Sequence, residues 1–256
     1  GGSVALPPPG RRSAEELVRF FAAFDVTYCV FVPATLRPFL DAAERLGMVS
    51  LRLACCGGDA LPLELCDRFR RLVGGPLFNL YGPTEASVFV TAWECVSLPE
   101  EGPVPLGRAL EGVRVHVLDS ERRLLPVGAV GELYIGGVGL TEGYLGRPDL
   151  DELAFVPDPL VPGTRLYRSG DKGYVGTDGN LFFLGRLDRQ IKLRGYRIEL
   201  EEIESVLHTH PKVESAAAKL LGESSSRFLH AWVAPRPGET VSSEGMLDHL
   251  RQSVCD

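Results

Sequence analysis

Long apolar runs and excess positive charge are both missing from this sequence. No apolar run reaches the roughly 18 residues that a membrane-spanning helix needs, and the opening residues, GGSVALPPPGRR, lack the apolar region of a secretory signal peptide. Net charge is -7, and no basic stripe or polybasic segment favours nucleic acid or an anionic membrane. We therefore expect a soluble, cytoplasmic protein that binds neither nucleic acid nor membrane.

Metal-binding cysteine motifs are also missing. The six cysteines show no CxxC spacing of the kind that holds zinc; they stand at positions 29, 55, 56, 66, 95 and 255. Cys55 and Cys56 are neighbours inside an apolar run, which indicates small buried thiols in a reducing compartment.

The first hundred residues alternate between helix and strand patterns. A capping-box spacing at Ser13 to Glu16 begins the first helix. The continuous apolar run VTYCVFV predicts a strand buried on both faces. Helices at about 35–46 and 62–72 and strands at 51–56 and 77–81 follow. This alternation predicts part of a parallel sheet flanked by helices, an α/β unit over residues 1–103.

The pattern changes twice further along the chain. From 104 to 187 short strands are separated by Gly and Pro, and Asp178-Gly179 is a hairpin signal, so a small antiparallel β-barrel-like region is predicted. From 188 to 256 an amphipathic helix, two strands and a last helix beginning near Ser243 predict a small α+β unit. With 256 residues, one large or two small domains are expected.

The heptapeptide NLYGPTE carries the first chemical signal. It ends a strand with a glycine turn and then presents Thr84 and Glu85. Threonine can donate a hydrogen bond to a phosphate oxygen, and a carboxylate can stand beside phosphate when Mg²⁺ lies between them. Tyr81 offers a flat face for an adenine ring. The alternative interpretation is an ordinary turn with a solvated glutamate.

Two further stretches suit a nucleotide. In YRSGDKGYV, a tight turn presents Asp171, a carboxylate suited to a ribose diol; an ordinary hairpin turn is the alternative. The segment GRLDRQIKLRGYRIELEEIE gathers positive charge that can offset a phosphate, the alternative being a solvated face. Its cations are Arg186, Arg189, Lys192, Arg194 and Arg197.

These stretches recur in a familiar order. NLYGPTE, then GELYIGGVGLTEGYLGRPDLDELAF with YRSGDKGYV, then GRLDRQIKLRGYRIELEEIE follow one another between residues 79 and 204, and the similarity extends over essentially the whole chain. On these motifs the chain resembles the adenylation domains of nonribosomal peptide synthetases, within the adenylate-forming superfamily. The resemblance implies activation of an amino-acid substrate with ATP and Mg²⁺ to aminoacyl-AMP. Transfer to the phosphopantetheine thiol of a carrier protein would follow.

The resemblance also implies individual roles. Thr84 would contact the α-phosphate and Glu85 would hold Mg²⁺, Tyr81 would stack on adenine, and Asp171 would bind the ribose hydroxyls. The remaining ATP/AMP contacts would come from Gly58, Asp59 and Ala60 along the purine and from Arg186 and Lys192 toward ribose and phosphate. Asp188 would be the hinge of the small C-terminal unit. The amino-acid pocket would be lined by Phe31, Cys55, Gly57, Leu80, Val88 and Phe89, which predicts a neutral, largely apolar side chain.

The sequence departs from the family pattern in three places. It contains neither the Ser/Thr/Gly-rich phosphate loop, nor the motif with the amine-binding aspartate, nor the C-terminal motif with the catalytic lysine. We therefore expect an incomplete fragment, inactive alone, that needs the remaining N-terminal part of an adenylation domain. Two alternatives stay open: an acyl- or aryl-CoA ligase of the same superfamily, and a degenerate, non-catalytic adenylation module.

Overall fold

The computed structural model divides the chain into two compact units, 1–187 and 188–256. It describes residues 2–7, 9–10, 13–47, 51–96, 98, 102–193, 195–222 and 227–253. The α/β and β-rich regions predicted from the sequence both lie in the first unit. The boundary at 103/104 stays a prediction, and the short strand Arg108–Ala109 beyond it still pairs with the first sheet.

The first sheet has five strands in sequential order. Its first three strands are parallel, as the alternation of helix and strand predicted, and the last two are added antiparallel. Its elements are α1 (Ala14–Ala23), β1 (Tyr28–Phe31), α2 (Pro33–Leu46), β2 (Leu53–Gly57), α3 (Leu63–Leu72), β3 (Leu77–Tyr81), a 3₁₀ turn (Thr84–Ala86), β4 (Thr91–Glu94) and β5 (Arg108–Ala109).

Local signals explain where the helices begin. The Ser13 hydroxyl accepts a hydrogen bond from the Glu16 amide and the Glu16 carboxylate accepts one from the Ser13 amide, so the predicted capping box of α1 is confirmed. Pro33 occupies the first turn of α2, where its missing N–H leaves no intrahelical bond unmade. The helices pack on one face of the sheet through buried side chains such as Leu36, Phe39 and Phe69.

The prediction that the first strand is buried on both faces is wrong. In β1, Phe31 is 3% exposed, but Tyr28 and Val30 are 53% and 45% exposed. Side chains alternate between the faces of a strand, so the helices cover only the face that carries Phe31. The apolar run VTYCVFV indicated a strand, but it did not indicate which face of that strand has a covering layer.

The second sheet is wholly antiparallel, in the order β10 (Leu181–Arg186), β9 (Arg165–Val175), β7 (Gly131–Gly137) and β6 (Val113–Leu118), and β8 (Phe155–Pro157) pairs with β9. The Asp178-Gly179 hairpin is confirmed, since the β9–β10 turn passes through it and Gly179 has a φ of 79°. A short helix, α4 (Pro148–Ala154), lies between β7 and β8 and was not predicted.

The two faces of this second sheet serve different clusters. On one face Leu133, Ile135 and Tyr167 pack in a core that includes Tyr81 of β3. On the other face Tyr134 packs with Leu118 and Leu166. The strand alternation therefore sends neighbouring residues of β7 to opposite environments.

His116 of β6 gives this unit an acid-sensitive point. Its Nε2 is buried and has no hydrogen-bond partner among the residues that the structure describes. Burial lowers the pKa of His116 below its ordinary value of 6.5; the Asp158 charge raises it and the Arg114 charge lowers it further. The folded state therefore binds this proton more weakly than the unfolded state. The stability that the fold gains by keeping His116 neutral is fully present above pH 6.5. It declines as the pH falls through the lowered pKa of His116.

Replacing His116 by glutamine is expected to flatten the loss of stability of this unit between pH 7 and pH 5. The other four histidines lie beyond residue 187, so no second imidazole of residues 1–187 titrates in that range. Urea unfolding, followed by Trp93 fluorescence in a Trp232→Phe background, measures the effect. An equal loss in the variant and the parent protein would show that His116 is not the responsible group.

The second unit is small and self-contained. Its helices and hairpin match the predicted α+β pattern, with Leu200, Ile203, Leu207 and Val213 in its core. The elements are β11 (Ile191–Leu193), β12 (Tyr196–Ile198), α5 (Leu200–Thr209), β13 (Val213–Leu221), β14 (Phe228–Pro235) and α6 (Ser243–Ser253). Within the described part of the chain, no helix of either unit has the length and apolar character needed to cross a bilayer.

Candidate functional site

The end of β3 forms a tight turn that requires glycine. A Cβ on Gly82 would lie 2.6 Å from the Val88 carbonyl oxygen and 2.9 Å from the Val90 amide nitrogen. The chain passes from β3 through this turn into Thr84–Ala86, and the Val90 amide then returns a 2.7 Å hydrogen bond to the Tyr81 carbonyl. The heptapeptide NLYGPTE is therefore a closed loop at the carboxyl end of a parallel strand, the edge where α/β sheets bind ligands.

The loop is held in a strained backbone conformation. Ser87 and Val88 have φ values of 60° and 73°, in the left-handed region. For a β-branched residue such as Val88 this conformation is an outlier that costs on the order of 1–3 kcal/mol. Strain of this kind persists only where the surrounding contacts enforce it, and it is concentrated at functional sites.

Thr84 and Glu85 differ in environment. Thr84 is exposed, whereas Glu85 is 7% exposed. The Tyr144 hydroxyl donates a 2.6 Å hydrogen bond to Glu85 Oε1. Burial first, and then this hydrogen bond, raise the pKa of Tyr144 well above its ordinary value. The loop thus presents a hydroxyl to solvent and holds a carboxylate behind it.

Asp171 is hydrogen-bonded to Tyr81, the last residue of β3, and so lies at the same strand end as Glu85. The Tyr81 hydroxyl donates a 2.6 Å hydrogen bond to Asp171 Oδ2, and Arg186 Nη1 lies 2.7 Å from Asp171 Oδ1. Asp171 of β9 and Arg186 of β10 are cross-strand partners, which explains the ion pair. Burial and then the Asp171 charge raise the pKa of Tyr81 well above its ordinary value of 10. Tyr81 is only 7% exposed, and its stacking on adenine stays a prediction.

The donor set around Glu85 suits one class of metal ion. Within the described residues, no group of three or more His, Cys, Asp or Glu side chains could enclose a metal. Mg²⁺ is commonly bound through one or two carboxylates together with substrate phosphates rather than in an all-protein cage. A single buried carboxylate oxygen donor beside an exposed threonine fits Mg²⁺ that arrives with a nucleotide.

The turn after β2 carries the residues predicted to line the purine. Gly58 and Ala60 are exposed, and Gly58 has a φ of 83°. The Asp59 carboxylate accepts a 2.8 Å hydrogen bond from the Ala60 amide, which stiffens the turn. Their backbone groups lie at the carboxyl end of β2, next in the sheet to β3.

The structure brings together part of the predicted amino-acid pocket. A Cβ on Gly57 would lie 2.7 Å from the Leu80 carbonyl oxygen and 3.4 Å from Phe89 Cε1, so Gly57, Leu80 and Phe89 are neighbours. Cys55 lies on the same strand as Gly57, two residues before it, and thus on the same face. Val88 is 51% exposed on the strained loop.

Phe31 lies apart from that group. It pairs with Cys56 rather than Cys55 across β1 and β2, and its ring centroid is 5.0 Å from that of Phe39 of α2. Its side chain therefore belongs to the face that the helices cover, and its role in the pocket stays a prediction.

The other predicted site residues belong to the second unit. Lys192 lies opposite Arg197 in the strand register of the β11–β12 hairpin. The Asp188 carboxylate accepts a 3.1 Å hydrogen bond from the Gln190 amide. Arg194 lies outside the described residues. The roles of Lys192 in binding and of Asp188 as a hinge stay predictions.

Sequence reasoning missed Tyr144 and the residue that positions it. The Tyr144 amide donates a 2.7 Å hydrogen bond to Asp151 Oδ1 at the start of α4. Both residues lie in the stretch GYLGRPDLDELAF, which served only to mark a resemblance. An aromatic hydroxyl placed directly after a glycine turn was the available signal.

Comparison with known proteins gives a match to a family model and similarity to individual proteins. A family model described as "AMP-binding enzyme" matches residues 1–145. The phosphinothricin tripeptide synthetase PhsC of Streptomyces viridochromogenes is 45% identical over 262 residues, covering 99% of this chain and 23% of PhsC. The chain thus spans about a quarter of the length of that relative.

Solved structures share the fold. The Vibrio cholerae adenylation domain AlmE, in complex with glycyl-adenosine-5'-phosphate, has a TM-score of 0.81 at 30% identity, covering 94% of this chain and 47% of AlmE. NpsA-ThdA of Klebsiella oxytoca, an artificially fused adenylation–PCP di-domain, has a TM-score of 0.80 at 27% identity, covering 95% of this chain and 45% of its own.

Proposed function

The chain belongs to the AMP-binding enzyme family, and from that premise we propose that it is part of an adenylation domain of a nonribosomal peptide synthetase. In the complete protein it activates an amino acid with ATP to aminoacyl-AMP and pyrophosphate. The aminoacyl group then passes to the phosphopantetheine thiol of a carrier protein.

One observation carries this proposal. Tyr81 donates a hydrogen bond to the buried Asp171 carboxylate, and the turn that follows Tyr81 holds the buried Glu85 carboxylate. Two acidic groups from distant parts of the sequence are thereby fixed to one strand end. Carboxylates commonly bind the Mg²⁺ that accompanies a nucleotide, and an acidic residue can accept hydrogen bonds from the ribose hydroxyls.

Each residue then has a defined task. The exposed Thr84 hydroxyl donates to the α-phosphate. The oxygens of Asp171 can each accept more than one hydrogen bond, so they receive the ribose hydroxyls while Arg186 and Tyr81 hold the carboxylate. Glu85 would hold Mg²⁺, which when bound supplies charge neutralisation at the phosphates. The first half-reaction mainly needs this alignment and charge compensation.

The apolar character around Gly57 supports a neutral side chain on the amino acid. A Cβ on Gly57 would come within 2.7 Å of the Leu80 carbonyl oxygen, so glycine permits this close approach, and Phe89 lies next to it. A charged substrate side chain would lose its hydration there without a partner. We propose a substrate with a neutral, largely apolar side chain.

Two partners follow from the same proposal. The exposed Tyr28 and Val30 of β1 are proposed to be covered by the N-terminal part of an adenylation domain. The carrier protein is proposed as the second partner, since NpsA-ThdA joins an adenylation domain to a PCP. Asp188 is proposed as the hinge of the small unit, and Lys192 is proposed to contact the ribose and the phosphates.

The proposal predicts amino-acid-dependent ATP–pyrophosphate exchange by the complete polypeptide that contains this chain. A panel of proteinogenic amino acids, each at saturating ATP and Mg²⁺, should give exchange with one or a few apolar members. A parallel panel of fatty and aryl acids with coenzyme A serves as the comparison. Turnover confined to those acids would assign an acyl- or aryl-CoA ligase, and silence in both panels would assign a non-catalytic module.

A further inference from the structure

The loop after β7 makes a contact that neither half of the proposed reaction explains. The Tyr144 hydroxyl lies 2.6 Å from Glu85 Oε1, although 59 residues separate the two in sequence. Tyr144 is half-buried and Glu85 is 7% exposed, so water competes weakly for this hydrogen bond.

Tyr144 is itself fixed by its surroundings. Asp151 accepts a hydrogen bond from the Tyr144 amide, and a Cβ on Gly143 would lie 2.4 Å from Asp151 Oδ2. Gly143 has a φ of 152°, which a side chain would strain. The Tyr144 ring packs against Phe155 with centroids 5.8 Å apart, and Phe155 packs in turn on Tyr167 at 5.4 Å. These contacts therefore fix the position of the Tyr144 hydroxyl.

The same loop also holds the backbone around Glu85. The Thr141 amide donates a 2.9 Å hydrogen bond to the Glu85 carbonyl. The Ser87 hydroxyl donates a 2.8 Å hydrogen bond to the Gly139 carbonyl. Hydrogen bonds with one segment, residues 139–144, therefore hold both the backbone around Glu85 and its side chain.

We propose that Tyr144 is a positioning residue, which holds the Glu85 carboxylate in the orientation that receives Mg²⁺ with the nucleotide. This inference rests on the proposed function, because it assigns Glu85 to the metal. A carboxylate that must find its orientation at each binding event loses rotamer freedom then, whereas one held by a hydrogen bond has lost it on folding. Partners that orient a metal ligand typically account for about 10- to 100-fold in metal affinity or activity.

The test measures binding without turnover. The dissociation constant of α,β-methylene-ATP is determined by calorimetry on the complete protein, once with EDTA and once with saturating Mg²⁺. The ratio of the two constants reports how strongly the metal and the nucleotide bind together. Tyr144→Phe is expected to reduce this ratio about tenfold, while the constant in EDTA stays within about twofold.

Tyr134→Phe provides a matched control. The Tyr134 hydroxyl lies 3.3 Å from Glu132 Oε2, and Glu132 is as buried as Glu85, at 7% exposure. This second tyrosine–glutamate pair lies on the face of β7 opposite the one that packs with Tyr81. Removing its hydroxyl is expected to leave the Mg²⁺ ratio unchanged, which separates a positioning effect from general loosening.

Glu85→Gln makes the two proposals separable. If Glu85→Gln leaves the ratio unchanged, the metal assignment itself fails. If it reduces the ratio and Tyr144→Phe does not, only the positioning inference is overturned. In the double variant, Tyr144→Phe should add no further reduction, because the group it orients no longer binds the metal.

A second variant covers the case in which Tyr144→Phe fails to fold. Asp151→Asn keeps the tyrosine hydroxyl but removes the charged acceptor of the Tyr144 amide. It is expected to reduce the Mg²⁺ ratio by a smaller factor, about threefold, since a neutral acceptor replaces a charged one. A wild-type ratio in this folded variant would overturn the inference.

Discussion

Glu85→Gln in the complete protein is expected to lower the rate of amino-acid-dependent pyrophosphate exchange by about 100- to 1,000-fold. Glutamine keeps the shape of the side chain and can still accept the Tyr144 hydrogen bond. It removes the negative charge that is proposed to attract Mg²⁺. Exchange rates measured over a range of Mg²⁺ concentrations should show partial recovery at high metal, because weaker binding is offset by mass action.

Glu132→Gln is the matched control for that experiment. Glu132 is buried to the same extent as Glu85, and it pairs with Arg168 at 3.0 Å on the other face of the second sheet. Its loss is expected to lower thermal stability without changing the Mg²⁺ dependence of exchange. Equal kinetic defects in the two variants would mean that Glu85 acts through stability alone.

Short-range signals in the sequence predicted the local elements well. The capping box at Ser13 and Glu16 and the Asp178-Gly179 hairpin depend on neighbours within a few residues, so the pattern contains all the needed information. The alternation of helix and strand similarly predicted the parallel part of the first sheet, because short connections allow few arrangements.

Burial and long-range contacts could not be predicted in the same way. The exposure of Val30 depends on which face of the sheet has a covering layer, and local propensity does not encode that. The contact of Tyr81 with Asp171 spans 90 residues, and it gives the tyrosine a structural role that the motif NLYGPTE alone does not reveal. The strained φ of Val88 is likewise imposed by the loop closure around Gly82.

Asp171→Asn should destabilise the first unit by about 3 kcal/mol, the usual cost of removing one partner of a buried ion pair. The side chains of Arg186 and Asp171 are only 12% and 5% exposed, so the remaining guanidinium keeps its charge with little access to water. Asparagine can still accept from Tyr81, which isolates the loss of charge. Thermal unfolding should show a midpoint lowered by roughly 6–12 °C for a unit of this size.

Two further variants decide whether the buried charge is the cause. Asp149→Asn removes the same charge from an exposed pair with Arg147, whose side chains are 62% and 56% exposed, and should barely move the midpoint. Arg186→Gln combined with Asp171→Asn should recover part of the loss, because the buried positive charge is removed together with the negative one. A double variant as unstable as the sum of the two single variants would show that Asp171 stabilises the sheet through Tyr81 and its other contacts rather than by compensating Arg186.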